Sequence, residues 1–153
     1  AAARFRAGVT GENLDILARG PLWDEGLDYN HGTGHGVGHI LSVHEGPQVI
    51  SPKGTDHAFA PGQITSDEPG VYLEGKHGIR LENELLCVET ENGFYGFEPL
   101  TFCPWEPAAI LPEKLTEQER RWLNEYHRQT YEKLAPHLCE ELRSWLKEET
   151  KEI

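Results

Sequence analysis

The sequence of 153 residues contains no methionine and only three cysteines, and each scarcity limits what the protein can be. Because translation starts at methionine, we expect this sequence to be a processed chain or a piece of a longer protein. Cys87, Cys103 and Cys139 are far apart and form no CxxC pair. A sparse, odd set of this kind is typical of reduced thiols in a cytoplasmic protein, and it argues against a disulfide framework or a zinc knuckle.

Long apolar runs and basic clusters are missing as well. No apolar stretch approaches the ~20 residues that a membrane-spanning helix needs, and the first residues turn polar too early for a secretory signal. The sequence contains 14 Lys and Arg residues and 26 Asp and Glu residues, which gives a formal net charge of −12. Nucleic acids and anionic membranes attract clustered positive charge, so we expect neither as a partner.

Helical spacing of apolar residues occurs at both ends of the chain. A first helix is predicted between Thr10, its N-cap, and Gly26, with Pro21 bending or splitting it. A second helix is predicted over 116–134, where Thr116 and Glu119 match a capping box. A third is predicted over 136–147, and the residues from about 148 onward are expected to be disordered. One face of this last helix is predicted to pack in the core, with Leu138, Leu142, Trp145 and Leu146.

The middle of the chain has a different texture, with short apolar runs between Gly, Pro, Asn and Asp. This texture predicts strands and turns. The predicted strands cover residues 63–70, 70–73, 78–90 and 93–102, and a hairpin turn is predicted at 91–93. Strands in the middle and helices at both ends indicate an α+β domain built on a mostly antiparallel sheet.

Residues 31–44, HGTGHGVGHILSVH, place four histidines among glycines. Each glycine costs a helix ~1 kcal/mol relative to alanine, so an extended strand is the more favourable local structure. His31, His35 and His39 would then share one face of the strand, and His44 would need a bend to join them. A metal site, an acid–base centre and a glycine-rich bend with incidental histidines are all compatible with this spacing.

Two downstream motifs contain carboxylates. Asp67 and Glu68 stand before Pro69 at the predicted end of a strand, and Arg80 and Glu82 alternate along the next one. Charges on a sheet face are costly to bury without a partner, so this face is either solvated or a polar site. Imidazole and carboxylate together suit Mn, Zn, Co or Fe, and carboxylates bridge divalent ions ~3.5–4 Å apart in hydrolytic sites.

Taken together, HGTGHGVGHILSVHEGP, SDEPGVY and GIRLEN resemble the second half of the catalytic domain of aminopeptidase P, the Xaa-Pro aminopeptidase of the pita-bread metallopeptidases. The likeness extends to AGVTGENLDILARG and LTEQERRWLNEYH, and so covers nearly the whole chain. It implies part of a pita-bread fold, a mostly antiparallel curved sheet with flanking helices, in residues 1–104. Residues 105–153 would form a C-terminal helical extension.

The resemblance also implies an activity and its cofactors. A metallopeptidase of this family hydrolyses the bond between an N-terminal residue and proline, using a hydroxide that bridges two divalent ions. Manganese is the expected metal, with zinc and cobalt as alternatives. The substrate would be a peptide with proline in second position, and the full-length protein would be a homodimer.

Individual roles follow from the same resemblance. His35, Glu68 and Glu82 correspond to metal ligands, and Glu68 also corresponds to the catalytic proton shuttle. His44 corresponds to the catalytic contact to the scissile carbonyl. His31 would help form the proline pocket. Arg80, which is also assigned to substrate binding, would contact the metal-binding carboxylates. His39 corresponds to no functional position.

The chain departs from the family pattern in one respect that matters. Five protein ligands are expected, two of them aspartates that come earlier in sequence than the histidine, and no such pair precedes His35. We expect the pair to lie before Ala1, and the chain alone to be inactive. Two rival hypotheses are a non-catalytic pita-bread module that binds proteins and a plain domain that captures one ion adventitiously. The retained ligands favour the enzyme.

Overall fold

The structure, a computed structural model, describes residues 2–40 and 42–153 of the chain. The chain divides into two compact units, Ala1–Thr101 and Phe102–Ile153. The first unit combines one helix with short antiparallel strands, and the second is helical. The predicted α+β class, with strands in the middle and helices at both ends, is therefore confirmed. No helix within the described ranges is both long and apolar enough to cross a bilayer.

The first unit contains eight strands and one α-helix in the part of the chain that the structure describes. In chain order these are β1 Phe5–Arg6, α1 Gly11–Asp24, β2 Gly34–His35, β3 Val49–Ile50, β4 Ile64–Asp67, β5 Gly70–Leu73, β6 His77–Arg80, β7 Asn83–Glu89 and β8 Phe94–Pro99. The main sheet is antiparallel in the order β1-β8-β7-β4, and β2–β3 and β5–β6 form two further antiparallel pairs.

The turn between β7 and β8 confirms the predicted hairpin. Glu91–Gly93 form one turn of 3-10 helix, in which Asn92 and Gly93 have φ angles of 60° and 70°. Such left-handed backbone is most accessible to glycine and asparagine, which explains why these residue types end the strand here.

The helix α1 begins after Thr10, as predicted, and runs without interruption through Pro21 to Asp24. A split at Pro21 is therefore wrong. Pro21 lies in the last turn, where its missing N–H removes only one backbone hydrogen bond. The buried side chains of Leu14, Asp15 and Arg19 hold the preceding turns against the interior of the unit.

A break in both long strands sets up the geometry of the candidate site. The single strand predicted over 78–90 is divided into β6 and β7, and the strand predicted over 63–70 ends at Asp67. Both breaks fall at the same register. Asp67 pairs with Asn83 on the main-sheet side of the breaks, and Gly70 pairs with Arg80 on the hairpin side. The β5–β6 hairpin thus leaves the main sheet, and residues 68–69 and 81–82 form the bend outside the strands.

The hydrophobic core of the first unit draws on α1, β1, β3 and β7. Its buried members are Phe5, Leu14, Ile50, Phe59 and Cys87. Leu85 and Cys87, two residues apart on β7, are only 1% and 0% exposed. Because side chains alternate along a strand, Glu84 and Leu86 lie on the opposite face, which leaves that face available for polar groups.

The second unit contains α2, Glu117–Leu134, and α3, Glu140–Glu149, together with single turns of 3-10 helix at Pro107–Ala109, Pro112–Lys114 and Ala135–His137. The predicted capping box is confirmed. The Glu119 N–H donates to Thr116 Oγ1 at 3.2 Å, and the Thr116 N–H donates to Glu119 Oε2 at 2.8 Å.

Two expectations for the end of the chain are wrong. Of the four residues predicted to pack in the core, only Leu146 is buried. Leu142 and Trp145 are 48% and 52% exposed, and Leu138 lies before the start of α3. The last residues are ordered by contacts to α2, because the Ile153 N–H donates to Asn124 Oδ1 at 3.0 Å and its carbonyl accepts from Arg120. These hydrogen bonds give the backbone of Ile153 partners that spacing along the sequence does not reveal.

Candidate metal centre

Five of the six predicted site residues line one cavity of about 500 Å³: His31, His35, His44, Glu68 and Arg80. They come from β2, the segments on either side of it, and the bend between the main sheet and the β5–β6 hairpin. The sixth, Glu82, lies at the same bend and is exposed. His39 is also exposed and does not line the cavity.

The histidine stretch does not form the extended strand that its spacing suggested. Among its described residues, 31–40 and 42–44, only Gly34–His35 is a strand, so His31, His35 and His39 do not share a strand face. Close packing determines the shape instead. A Cβ atom on Gly34 would lie 1.9 Å from the Ser66 carbonyl oxygen, which places β2 directly against β4. Glycine permits this approach because it has no Cβ.

Glu68 is the most highly connected carboxylate of the cavity, and its side chain is only 12% exposed. Its Oε1 accepts a hydrogen bond from Ser66 Oγ at 3.1 Å and lies 3.1 Å from His35 Nε2. Its Oε2 lies 3.4 Å from Arg80 Nη1. The Ser66 hydroxyl oxygen also accepts from the His35 N–H at 3.0 Å, so one serine joins the histidine backbone to the carboxylate.

The tautomer of His35 follows from its partners. Its Nδ1 lies 3.1 Å from the Gly36 carbonyl oxygen, which can only accept, so Nδ1 carries the proton. The other ring nitrogen, Nε2, faces Oε1 of Glu68 at 3.1 Å. A histidine that is oriented through one nitrogen and presents the other beside a carboxylate is typical of a metal ligand.

A hydrogen-bonded chain connects His31 to Arg80 through Tyr72. His31 Nδ1 donates to the Gly32 carbonyl at 2.7 Å, so Nε2 is left to accept from the Tyr72 hydroxyl, also at 2.7 Å. The Tyr72 oxygen accepts in turn from Arg80 Nε at 2.9 Å. Sequence reasoning missed Tyr72. The pairing of β5 with β6, which places Tyr72 opposite Gly78, brings its ring toward Arg80.

His44 reaches the cavity from the far end of the histidine stretch. Its ring centroid lies 4.2 Å from that of His35, at an interplanar angle of 61°. The side chain is exposed, so it is free to contact a ligand that enters the cavity.

Glu84 is a second residue that sequence reasoning missed. It lies on the same face of the main sheet as Ser66, its cross-strand partner. Burial raises the pKa of Glu84, and the negative charge of Glu82 raises it further. Its Oε2 is buried and has no hydrogen-bond partner among residues 2–40 and 42–153. Its alternation with Glu82 in RLENEL is the signal that could have identified it.

The donor set fits part of a divalent metal site. One imidazole nitrogen and one carboxylate oxygen meet at His35 and Glu68, and Glu82 lies close enough for its charge to raise the pKa of Glu84. Such nitrogen–oxygen sets suit Mn, Zn, Co or Fe. Within the described part of the chain, no three His, Cys, Asp or Glu side chains are arranged as a complete site. The chain therefore offers part of a ligand shell.

Known proteins resemble this chain along nearly its whole length. Residues 1–89 match the family described as metallopeptidase family M24, and residues 93–153 match the C-terminal region of peptidase M24. A probable Xaa-Pro aminopeptidase P of Coprinopsis cinerea is 44% identical over 99% of the chain. Aminopeptidase P1 of Arabidopsis thaliana is 43% identical over 99% of it. The chain spans only about a quarter of these relatives, 26% and 25% of their lengths.

Solved structures give the same relationship. An X-prolyl aminopeptidase of Caenorhabditis elegans, described as a cytosolic enzyme with a di-nuclear active site, is 40% identical and superimposes with a TM-score of 0.93. The match covers 100% of this chain and 26% of that one. The X-Pro aminopeptidase of Thermotoga maritima gives a TM-score of 0.54 over 65% of the chain. These superpositions confirm the expected fold, part of a pita-bread domain with a curved antiparallel sheet and flanking helices.

Proposed function

This chain belongs to metallopeptidase family M24, and from that premise we propose that it forms part of the active site of an Xaa-Pro aminopeptidase. The reaction is hydrolysis of the peptide bond between an N-terminal residue and a following proline. In this proposal residues 1–104 are the C-terminal half of the catalytic domain, and residues 105–153 are a helical extension. The substrate is a peptide with proline in second position.

The observation that carries the proposal is the contact between His35 and Glu68. An imidazole nitrogen and a carboxylate oxygen lie 3.1 Å apart there, and relatives that are 40–44% identical include aminopeptidases of this specificity. His35, Glu68 and Glu82 are the residues of this chain that would hold the metal. Two bound divalent ions, manganese in preference to zinc or cobalt, would supply a water molecule acidified enough to act as the nucleophile at neutral pH.

Glu68 is suited to move the proton of the reaction. One of its oxygens already accepts a hydrogen bond from Ser66, and the other faces the Arg80 guanidinium. A carboxylate held from both sides keeps one orientation while it takes up and releases a proton, which is the geometric requirement for general acid–base catalysis. Arg80 orients it and neutralises part of its charge.

The two remaining histidines act on the substrate. His44, exposed at the cavity, donates to the scissile carbonyl as negative charge develops on its oxygen. His31, whose ring nitrogens contact the Gly32 carbonyl and the Tyr72 hydroxyl, forms one wall of the proline pocket. An Xaa-Pro amide has no N–H to recognise, so the pocket must select the ring by its shape.

Several features of the complete protein follow from the same proposal. The complete protein is a homodimer, and its cytoplasmic location agrees with the description of one homologue as cytosolic. The 153-residue chain by itself is inactive, because its described residues contain no complete metal group. A non-catalytic protein-binding module of the same fold is the alternative, and retention of His35, Glu68 and Glu82 argues against it.

The test uses the complete protein in which this chain occurs. With manganese present it should release the N-terminal residue from an Xaa-Pro peptide, and Glu82→Ala should abolish that release. Glu89→Ala is the matched control, since Glu89 is an exposed glutamate at the other end of β7. Full activity of Glu82→Ala would refute the site, and an inactive wild type that binds a protein partner would favour the module.

A further inference from the structure

The most completely bonded side chain described in the first unit lies outside the cavity. Arg19 of α1 is 2% exposed. Its Nε donates to Asp15 Oδ2 at 2.6 Å, and its Nη1 donates to Asp28 Oδ1 at 2.7 Å. The guanidinium carbon lies 3.9 Å from the centroid of the Tyr29 ring, a cation–π contact.

Two further donors of Arg19 bind backbone carbonyls of the segment that leads into the cavity. Nη1 donates to the Tyr29 carbonyl at 2.7 Å, and Nη2 donates to the His31 carbonyl at 2.6 Å. Four of the five guanidinium N–H groups therefore have partners. The segment between α1 and β2 has no helix or strand of its own, so these bonds replace the hydrogen bonds that regular structure would provide.

The same cluster extends to the carboxylate side of the cavity. Asp15 Oδ1 accepts from Thr33 Oγ1 at 2.6 Å, and the Thr33 and Tyr29 hydroxyls are hydrogen-bonded to each other. The Thr33 carbonyl accepts from the Glu68 N–H at 2.7 Å. The segment 28–33, which includes His31, is thus attached both to α1 and to Glu68.

We propose that Arg19 is a positioning residue that sets the orientation of His31 in the substrate cavity, and thereby the fit of the residue after the scissile bond. This inference rests on the proposed function. Lysine cannot replace arginine here, because a single ammonium group lacks the planar fork that reaches two carboxylates and two carbonyls at once. The Tyr29 and His31 rings, with centroids 4.8 Å apart, transmit the restraint from the guanidinium to the imidazole.

The experiment compares Arg19→Lys with Arg128→Lys in the complete, manganese-loaded protein. Arg128 is a matched control, since it also binds two carboxylates, Glu125 and Glu132, but on the exposed face of α2. For Arg19→Lys, the KM for an Xaa-Pro peptide should rise at least tenfold while kcat falls less than threefold. Arg128→Lys should leave both unchanged.

A purely structural role would give a different result. Activity would then fall in proportion to the folded fraction measured by circular dichroism, with an unchanged KM, and that outcome would overturn the proposal. If Arg19→Lys does not fold, Asp28→Asn replaces it. The Asp28 side chain is 54% exposed and anchors only Nη1 of the guanidinium. Its KM should rise about threefold, and an unchanged KM would likewise overturn the proposal.

A spectroscopic readout separates this inference from the proposed function. In protein labelled with ¹⁵N-histidine, Arg19→Lys should shift the ring resonances of His31 and leave those of His57, whose ring contacts Gln63 instead of the cluster, in place. If the wild type cleaves no Xaa-Pro peptide, the proposed function fails, and the His31 resonances still decide the positioning role. An unmoved His31 spectrum would refute it.

Discussion

Replacing Gly34 with alanine should separate His35 from Glu68 without touching either side chain. The added Cβ would lie 1.9 Å from the Ser66 carbonyl oxygen and 2.9 Å from its carbon. An unstrained contact needs ~3.5 Å, so β2 must move by about 1.5 Å relative to β4. The obstacle is backbone on both sides, so no rotamer change can relieve it.

The displacement acts on the contacts that define the site. His35 of β2 makes two such contacts: its N–H lies 3.0 Å from Ser66 Oγ of β4, and its Nε2 lies 3.1 Å from Oε1 of Glu68, the residue after Asp67 of β4. A misplacement of ~1 Å can cost ~100-fold in rate, and loss of ligand orientation costs ~10–100-fold in metal affinity. We expect Gly34→Ala to lower manganese affinity by at least tenfold and kcat/KM by about 100-fold.

Isothermal titration with manganese and hydrolysis of an Xaa-Pro peptide, both in the complete protein, measure the two quantities. Gly20→Ala is the matched control, because it is the same chemical change in α1 at a position with no atom within 4 Å. Alanine there should stabilise the helix by ~0.5–1 kcal/mol. If both variants bind manganese with affinities within twofold of each other, the close packing of β2 on β4 does not control the site.

Three further predictions concern the second unit. Leu146→Ala should lower the free energy of unfolding by ~2–5 kcal/mol. Leu142→Ala, at a position that is 48% exposed, should lower it far less. Equal decreases in the two variants, measured by thermal denaturation, would contradict the assigned burial. Thr116→Ala removes the N-cap of α2 and should cost ~1 kcal/mol, seen as a lower denaturant midpoint, and an unchanged midpoint would show that the capping box contributes nothing. Burial lowers the pKa of His127. Below pH ~6.5 the unfolded chain therefore binds a proton that the folded unit does not. As the pH falls further, the free energy of unfolding should decrease by up to ~1.4 kcal/mol per pH unit, until the pKa of His127 in the folded state is reached. Denaturant titrations between pH 7.5 and 5.5 should show a smaller fall for His127→Gln than for the exposed His137→Gln, and equal falls would exclude His127 as the source.

Local chemistry is where sequence reasoning succeeded most clearly. The N-cap of α1 at Thr10, the capping box at Thr116 and Glu119, and the hairpin turn at 91–93 were all predictable. Each depends on residues within four positions of one another, so neighbouring residue types are enough to determine it.

The errors share a different physical origin. The course of the histidine stretch depends on how closely Gly34 approaches Ser66, a residue on another strand. The division of the predicted strand at Leu81 depends on the hairpin β5–β6 leaving the main sheet, with the Leu81 N–H donating to the Pro69 carbonyl. Order at Ile153 depends on side chains of α2. None of these contacts produces a periodic pattern of residue types in the sequence.

The sequence by itself determined the types of group available to the site, because imidazole and carboxylate chemistry depends on residue identity alone. It also determined the family, through three motifs whose combination is specific. Only the tertiary structure decided which groups meet. It brought His35 to Glu68, added Tyr72 between His31 and Arg80, placed Glu84 beside them, and linked the buried Arg19 to the carbonyl of His31. Contacts between residues far apart in sequence depend on strand pairing and close packing, which arise only when the chain is folded.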